Sequence, residues 1–410
     1  MNYQDALKFL YEQLPIFQRQ GKAAYKADLG NIIKLCSHLG NPQNELKCIH
    51  VAGTNGKGSV CHMLAAIYQS EGLKVGLHVS PHLVDFRERF RINNELAPEE
   101  FVIDFVEKHQ HFILELQPSF FELSVAMSFV YFNQNQVDIA IIETGMGGRL
   151  DSTNVISPIL SIITNIDYDH VEFLGDTIPK IAAEKAGIIK PEIPVLIGKR
   201  QPETTPVFEE FANRNHSDIF YASEISIPEN LKKLAEAHAG YQKENSTTAL
   251  AACLLLQNEF QVSESSIIDG LTNFETIAGL KGRWQKLGEN PLIIAEAAHN
   301  KAGIQQLITR LNHVEFDQLH IIMGAVNDKD ISGMVALLPR NASYYACAAK
   351  IPRALNAEAF CNILVKNKLN ATPFSSVEEA YLSAQQTAGT NDMILITGSF
   401  FVIAEVLEIL

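Results

Sequence analysis

The stretch HVAGTNGKGSV, His50 to Val60, decides how the first half of this chain is read. It nearly spells a phosphate-binding loop. The common pattern G-x-x-x-x-G-K-[ST] has a glycine six residues before its lysine and a hydroxyl residue directly after it. Here Val51 holds that glycine's place relative to Lys57, and Gly58 separates Lys57 from Ser59. The context is still that of an anion cradle. The apolar run Cys48–Val51 reads as a strand, and a helix is expected from Ser59 to Glu71. A strand that ends in glycines against a helix start aims several backbone N–H groups at one point. Gly53, Thr54, Asn55, Gly56, Lys57, Gly58 and Ser59 are therefore candidate phosphate ligands. Lys57 would reach the terminal phosphates, and Ser59 would face Mg²⁺ or a phosphate oxygen. The bland alternative is a strand–helix turn that happens to need glycines.

Outward from this junction, short β-branched runs alternate with longer helical patterns, as in a parallel α/β sheet. Strands are expected at Cys48–Val51, Val75–Val79, Ile139–Ile142, Ile159–Thr164 and Val195–Ile197. Helices are expected at Ser59–Glu71, Pro98–Leu116, Phe121–Asn133, Ile178–Ile188 and Tyr241–Phe260, the last ending a first unit. A loosely patterned segment, Phe274–Pro291, precedes a second series of strands at Leu292–Ala295, Leu319–Met323, Tyr344–Ala348 and Met393–Thr397. A chain of 410 residues is too long for one ordinary core. The expected organisation is two α/β domains, 1–285 and a smaller 286–410.

Composition narrows the function. With 33 basic and 47 acidic side chains the net charge is −14, which argues against a general partner such as nucleic acid or an anionic membrane. A local basic pocket for a small anion is still allowed. The six cysteines show no C-x-x-C spacing and read as buried small hydrophobes in a reducing compartment. The start, MNYQDALKFLYEQL, reads as an amphipathic helix rather than a signal peptide, and no apolar run reaches membrane-spanning length. A cytoplasmic protein is expected.

Further stretches bear on chemistry. In HVSPHLVDFRERFRINN, Ser80 falls just past a strand end, where ligands bind in open α/β sheets. In IAIIETGMGGRLDSTN, Glu143 ends a hydrophobic strand, where a carboxylate is costly unless a cation meets it. A hard oxygen ligand there suits Mg²⁺. His170, in TNIDYDHVEFLGD, follows another strand end; by itself it reads as a loop histidine more readily than as a ligand. Lys185, in AAEKAGII, reads alone as a solvated helix lysine. KADLGNIIKL is an amphipathic helix with Asp28 as a cap. In the second half stand LKGRWQ, IIAEAAHNKAG, GAVNDKD and ILITGSFFV. The Arg283 guanidinium suits phosphate recognition.

Taken together, GTNGKGS, SPHL with its following E-R-x-R-[IV] run, and ETGMGGRLDSTN resemble the folylpolyglutamate synthase and dihydrofolate synthase branch of the Mur ligase superfamily. The resemblance runs from about residue 26 to about residue 400. It implies a P-loop ATPase domain with a mostly parallel sheet, followed by a Rossmann-like ligase domain. The implied activity is an ATP- and Mg²⁺-dependent acid–amino-acid ligase. It would add L-glutamate to dihydropteroate or to the glutamate tail of a reduced folate through an acyl phosphate.

The resemblance also implies site residues. Ser59, Ser80, Glu143 and His170 would hold Mg²⁺, with Lys185 as a carbamate. Asn245, Arg283, Glu296 and His299 would lie beside the nucleotide. Asp28, Leu29, Gly30, Phe121, Arg149, Leu150 and Asp151 would contact the pterin-bearing substrate. Three departures stand out: Glu296 where the family has aspartate in D-x-x-H-N, Lys301 where proline often follows H-N, and Lys281 where proline commonly precedes G-R. A monomer is expected. The DLG triplet favours a bifunctional enzyme. The alternatives are a monofunctional folylpolyglutamate synthase, another ligase of the superfamily, or a non-catalytic ATP-binding regulator.

Overall fold

In this computed structural model, residues 1–15, 28–327 and 331–410 are described. The start of KADLGNIIKL and the end of GAVNDKD lie outside them. The chain divides into two compact units, Met1–His82 with Phe86–Leu280, and Leu83–Asp85 with Lys281–Leu410. The division falls between Leu280 and Lys281, ahead of the expected position after residue 285. The reason is a strand, Gln285–Glu289, that pairs antiparallel with Leu292–Ala295 and draws the preceding Gly-Arg segment into the second unit.

The first unit holds an eight-stranded sheet. Its strands are β1 (Cys48–Ala52), β2 (Val75–His78), β3 (Phe90–Ile92), β4 (Glu95–Leu96), β5 (Ile139–Glu143), β6 (Leu160–Ile163), β7 (Val195–Ile197) and β8 (Ile219–Tyr221). Their order is β4-β3-β2-β5-β1-β6-β7-β8, with only the β4-β3-β2 edge antiparallel. The chain moves from β1 to one side through β2 and β5, then crosses to β6 on the other side. The carboxyl ends of β1, β5 and β6 therefore flank a topological switch point, the usual ligand crevice of such sheets.

Both faces of this sheet are covered, which is why its strands read as continuous apolar runs. Along β5, Ile139 and Ile141 pack on one face with the helix Lys57–Ser70, while Ala140 and Ile142 pack on the other with the helix Phe120–Gln134. The helix Tyr241–Leu255 does not end the unit, contrary to expectation. A further helix, Glu264–Ile277, is capped by Ser263 and buries Ile267, Leu271 and Phe274. A Cβ at Gly270 would lie 2.5 Å from the Ile67 Cα, so a glycine is what lets this helix meet Lys57–Ser70 backbone to backbone.

The second unit holds a six-stranded sheet: β9 (Gln285–Glu289), β10 (Leu292–Ala295), β11 (Leu319–Met323), β12 (Ala342–Ala346), β13 (Asn370–Pro373) and β14 (Met393–Thr397). The order is β13-β12-β11-β14-β10-β9, parallel except at β9. Ile321 and Met323 pack with the helices Lys301–Leu311 and Ala357–Lys366, and Ile322 faces Val377–Thr387 and Phe400–Ile409. Among the described residues no helix is long and apolar enough to cross a membrane.

Candidate functional site

The loop after β1 lies at the switch point. Gly56 caps the helix Lys57–Ser70 with φ of 83°, and a Cβ there would fall 2.3 Å from Asn245 Oδ1. Only glycine takes this left-handed turn without strain while letting Asn245 approach. The loop is pinned from β6: the Thr54 and Asn55 N–H groups donate to the Asn165 carbonyl (2.9 Å) and Oδ1 (3.0 Å), and Thr164 Oγ1 donates to the Asn55 carbonyl (2.6 Å).

Two lysines meet on one carbonyl. Lys57 Nζ donates to the Gly53 oxygen at 3.1 Å, and Lys185 Nζ donates to the same oxygen at 2.8 Å. Lys185 is 3% exposed. It is therefore not the solvated helix lysine that its local sequence suggests. Burial, then the Lys57 charge, pull its pKa from 10.5 down to about 7, with Asp169 and Asp151 opposing. A good part of Lys185 is thus a neutral amine near pH 7.

Glu143, at the end of β5, is 5% exposed and accepts the Ser80 N–H at 3.1 Å. A Cβ on Gly58 would lie 3.7 Å from its Oε1, so the carboxylate sits against the phosphate loop. Ser59, the next residue, is buried. Among the described residues no three His, Cys, Asp or Glu side chains are grouped to hold a metal. A cation at this loop would instead draw on one carboxylate, the Ser59 and Ser80 hydroxyls and nucleotide oxygens. That oxygen-rich set with few carboxylates fits Mg²⁺. His170 stands at the start of the short helix Val171–Leu174 in a left-handed conformation, with its Nε2 3.7 Å from Asp169 Oδ2.

The pterin-side candidates fall in three places. Asp28 Oδ1 accepts the Gly30 N–H at 2.7 Å and so closes the DLG turn on itself; the side chain does not cap the helix Gly30–His38, whose N-cap is Leu29. Phe121 seats its ring on Gly145, where a Cβ would come within 2.6 Å. Arg149, half-exposed, pairs with Glu184 at 2.8 Å, and Leu150 beside it is partly buried. Asp151 points inward. It accepts the Thr153 hydroxyl (2.6 Å) and N–H (3.0 Å) and the Met146 N–H (2.8 Å). Burial raises its pKa while these bonds oppose the rise. The Thr153 hydroxyl accepts in turn from His50 Nε2 at 2.8 Å; burial pushes that imidazole down to about 3, so it is neutral.

In the second unit, Arg283 Nη1 lies 3.7 Å from Glu296 Oε1 and donates to the Ala297 carbonyl at 3.2 Å, while its guanidinium lies over the Phe400 ring at 4.7 Å. His299 Nδ1 shares the Ala297 carbonyl at 3.0 Å. Arg283, Glu296 and His299 are thus one cluster. Asp169, Asn165 and Phe400 join these sites without having been singled out in the sequence. The aspartate-rich IDYDH run was the one local signal for Asp169.

Comparison with known proteins adds the family. Residues 51–133 and 117–262 match the Mur ligase middle domain, and residues 282–400 match the Mur ligase glutamate ligase domain. A folylpolyglutamate synthase from Lacticaseibacillus casei is 33% identical over 100% of this chain and 99% of its own. The chain belongs to the folylpolyglutamate synthase/dihydrofolate synthase family.

One member of that family, a probable bifunctional folylpolyglutamate synthase/dihydropteroate synthase from Haloferax volcanii, is longer. It is 31% identical over 99% of this chain, which spans 50% of its length. Escherichia coli FolC, solved in complex with DHPP and ADP, superposes with a TM-score of 0.86 at 29% identity, covering 100% of this chain and 97% of that one. A bifunctional folylpolyglutamate synthase/dihydrofolate synthase with Mn, AMPPNP and L-glutamate bound gives 0.85 at 29% identity, covering 100% and 98%. The two α/β units expected of the synthase family are the ones observed.

Proposed function

We propose that this protein joins L-glutamate to dihydropteroate and to reduced folates in an ATP- and Mg²⁺-dependent reaction. The observation that carries the reading is the loop at the switch point, where Lys57 and the buried Lys185 converge on the Gly53 carbonyl beside Glu143. Lys57 and the N–H groups of the loop supply positive charge where a triphosphate develops negative charge, while Lys185 and Glu143 face the place for a cation.

The chemistry follows in two steps. A carboxylate oxygen of the acid substrate attacks the γ-phosphorus of ATP, and the bridging P–O bond breaks to release ADP. The glutamate amine then attacks the acyl carbon of the resulting acyl phosphate, loses a proton, and phosphate departs. The backbone of Gly56–Ser59 and Lys57 hold the phosphates in line, and the Arg283 guanidinium is a further phosphate ligand. Glu296, held by Arg283, offers its carboxylate to a ribose hydroxyl despite its extra methylene. Asn245 and His299 border the nucleotide. Mg²⁺, held by Ser59, Ser80, Glu143 and His170, would neutralise charge shared by the nucleotide and the incoming carboxylate. Phe121, Arg149, Leu150 and the DLG turn receive the pterin, while Asp151 shapes that loop from within. No protein nucleophile is required.

The neutral amine of Lys185 suits attack on CO₂: an N–C bond forms, one C=O π bond opens onto its oxygen, and the nitrogen loses a proton, which leaves a carbamate anion. A ¹³CO₂-labelled sample should show a carbamate carbon resonance that Lys185→Met lacks. The same resonance in both would remove Lys185 from this role. The charge of −14 disfavours a nucleic-acid or anionic-membrane partner, and six free, buried cysteines fit a reducing compartment such as the cytoplasm.

The acyl phosphate is tested with acid substrate labelled in its carboxylate with ¹⁸O. Label should pass to inorganic phosphate during turnover. Phosphate free of label would overturn the mechanism.

A further inference from the structure

The run FRERFRINN, Phe86 to Asn94, carries three arginines to which the reaction above gives no task. Arg87 faces the Ala97 carbonyl and Glu99, and Arg89 donates to His82 Nδ1 at 2.7 Å beneath the Phe120 ring. Arg91, on β3, reaches further. It is 6% exposed, and its Nη2 donates to His62 Nε2 at 2.8 Å. Its Nη1 donates to Asn94 Oδ1 at 2.9 Å and to the Gly279 carbonyl at 3.3 Å, while its Nε has no partner. Among the described residues, every acceptor it meets is neutral.

The direction of these bonds is fixed by chemistry. A guanidinium only donates, so His62 Nε2 must accept, which leaves the imidazole neutral with its proton on Nδ1. That Nδ1 lies 2.6 Å from the Gly58 carbonyl and donates to it. Two hydrogen bonds therefore run from Arg91 through His62 into GTNGKGS, ending between Lys57 and Ser59. The far side of the guanidinium is braced as well. Gly279 adjoins the last residue of the first unit, and the Asn94 amide that Arg91 orders donates to the Thr276 carbonyl at 3.2 Å.

A buried cation whose hydrogen bonds all go to neutral acceptors is unfavourable, and the Glu88 carboxylate only partly opposes its desolvation. A polyphosphate bound at the loop would offset that penalty. We propose that Arg91 is a positioning residue for the nucleotide. Acting through His62, it fixes the Gly58 carbonyl and the first turn of the helix Lys57–Ser70, and it sets a positive charge behind the phosphate loop. This inference rests on reading that loop as the ATP site. The competing role is structural: Arg91 would only fasten β3 to the end of the helix Glu264–Ile277.

Nucleotide affinity separates the two. Full-length wild type, Arg91→Met and Arg91→Lys are titrated with AMPPNP and Mg²⁺ by calorimetry, with circular dichroism to verify folding. The KM values for glutamate and the folate acceptor are measured alongside. Arg91→Met should weaken AMPPNP about tenfold, the scale of one charge-assisted hydrogen bond. Arg91→Lys, which keeps the charge but not the fork, should fall between. Both should leave the other two KM values within about twofold of wild type. If Arg91→Met does not fold, Arg91→Lys carries the test. Wild-type AMPPNP affinity in a folded Arg91 variant, with only the thermal midpoint moved, overturns the proposal. Wild type that binds no AMPPNP overturns the ATP reading instead.

Discussion

Replacing Lys185 by methionine tests the electrostatics of the site directly, because methionine keeps most of the stem and removes the ammonium. The Lys185 pKa falls from 10.5 to about 7 on folding, first through burial and then through Lys57. At 1.36 kcal/mol per unit, the charged lysine destabilises the folded state by about 5 kcal/mol well below pH 7. The sign follows from proton counts. Between about pH 7 and 10.5 the unfolded lysine keeps a proton that the folded one has lost, so wild-type stability rises with pH across that window. By pH 9 the penalty has shrunk to about 2 kcal/mol.

Lys185→Met lacks this dependence, and packing differences between the two side chains do not change with pH. The stability gap between variant and wild type should therefore narrow by about 3 kcal/mol from pH 6 to pH 9. Urea unfolding followed by far-ultraviolet circular dichroism measures it, in buffers free of CO₂ and divalent ions so that neither carbamate nor metal intervenes. Fluorescence of Trp284, the sole tryptophan, reports the second unit separately and should not carry the difference. A gap that stays constant with pH would refute the reasoning, since Lys185 would then titrate alike in both states.

Three other outcomes are expected. Gly56→Ala forces a side chain into a φ of 83° and to within 2.3 Å of Asn245 Oδ1, so the ATP KM should rise at least about tenfold while the thermal midpoint falls; an unchanged ATP KM would show that the loop does not hold the phosphates. Glu143→Gln should lower kcat by about 100-fold and raise the Mg²⁺ concentration needed, without lowering metal-free stability, because a buried carboxylate is removed. Wild-type Mg²⁺ dependence in that variant would remove Glu143 from the metal site. Thr153→Val breaks the His50–Thr153–Asp151 chain and should cost about 2 kcal/mol in urea unfolding while raising the pterin-substrate KM but not the ATP KM. Equal changes in both KM values would deny the chain its local role.

What the sequence discloses here is set by how local each feature is. The β1–loop–helix junction was legible because a strand end, three glycines and a lysine lie within one short run, and chain direction alone fixes where their N–H groups point. The buried inner strands of both units were legible as continuous apolar runs. The strands β3, β4, β8, β9 and β13 were not, since they lie at or beside sheet edges and are defined by their neighbours. The helix Glu264–Ile277 escaped because Gly270 and Asn273 interrupt its apolar period, and Gly270 is there for a backbone contact that sequence does not display.

The site divides along the same line. Lys57 and Ser59 follow from the loop itself. Lys185 could be suspected only by resemblance, because its burial depends on Gly53, far away in the chain. The inward turn of Asp151 needs Thr153 and His50, and the Arg91–His62–Gly58 chain needs a register between β3 and a helix that no short-range pattern encodes.

The central claim is that this loop phosphorylates a folate carboxylate for attack by glutamate. It is tested most directly by ADP release from Mg²⁺-ATP with L-glutamate, using dihydropteroate in one set of tubes and tetrahydrofolate in another, with product mass read from both. Glutamate-dependent ADP release with each acceptor, and products heavier by one glutamyl residue, is the predicted result. Release with one acceptor alone would reduce the enzyme to a single activity. No glutamate-dependent release with either would contradict the account.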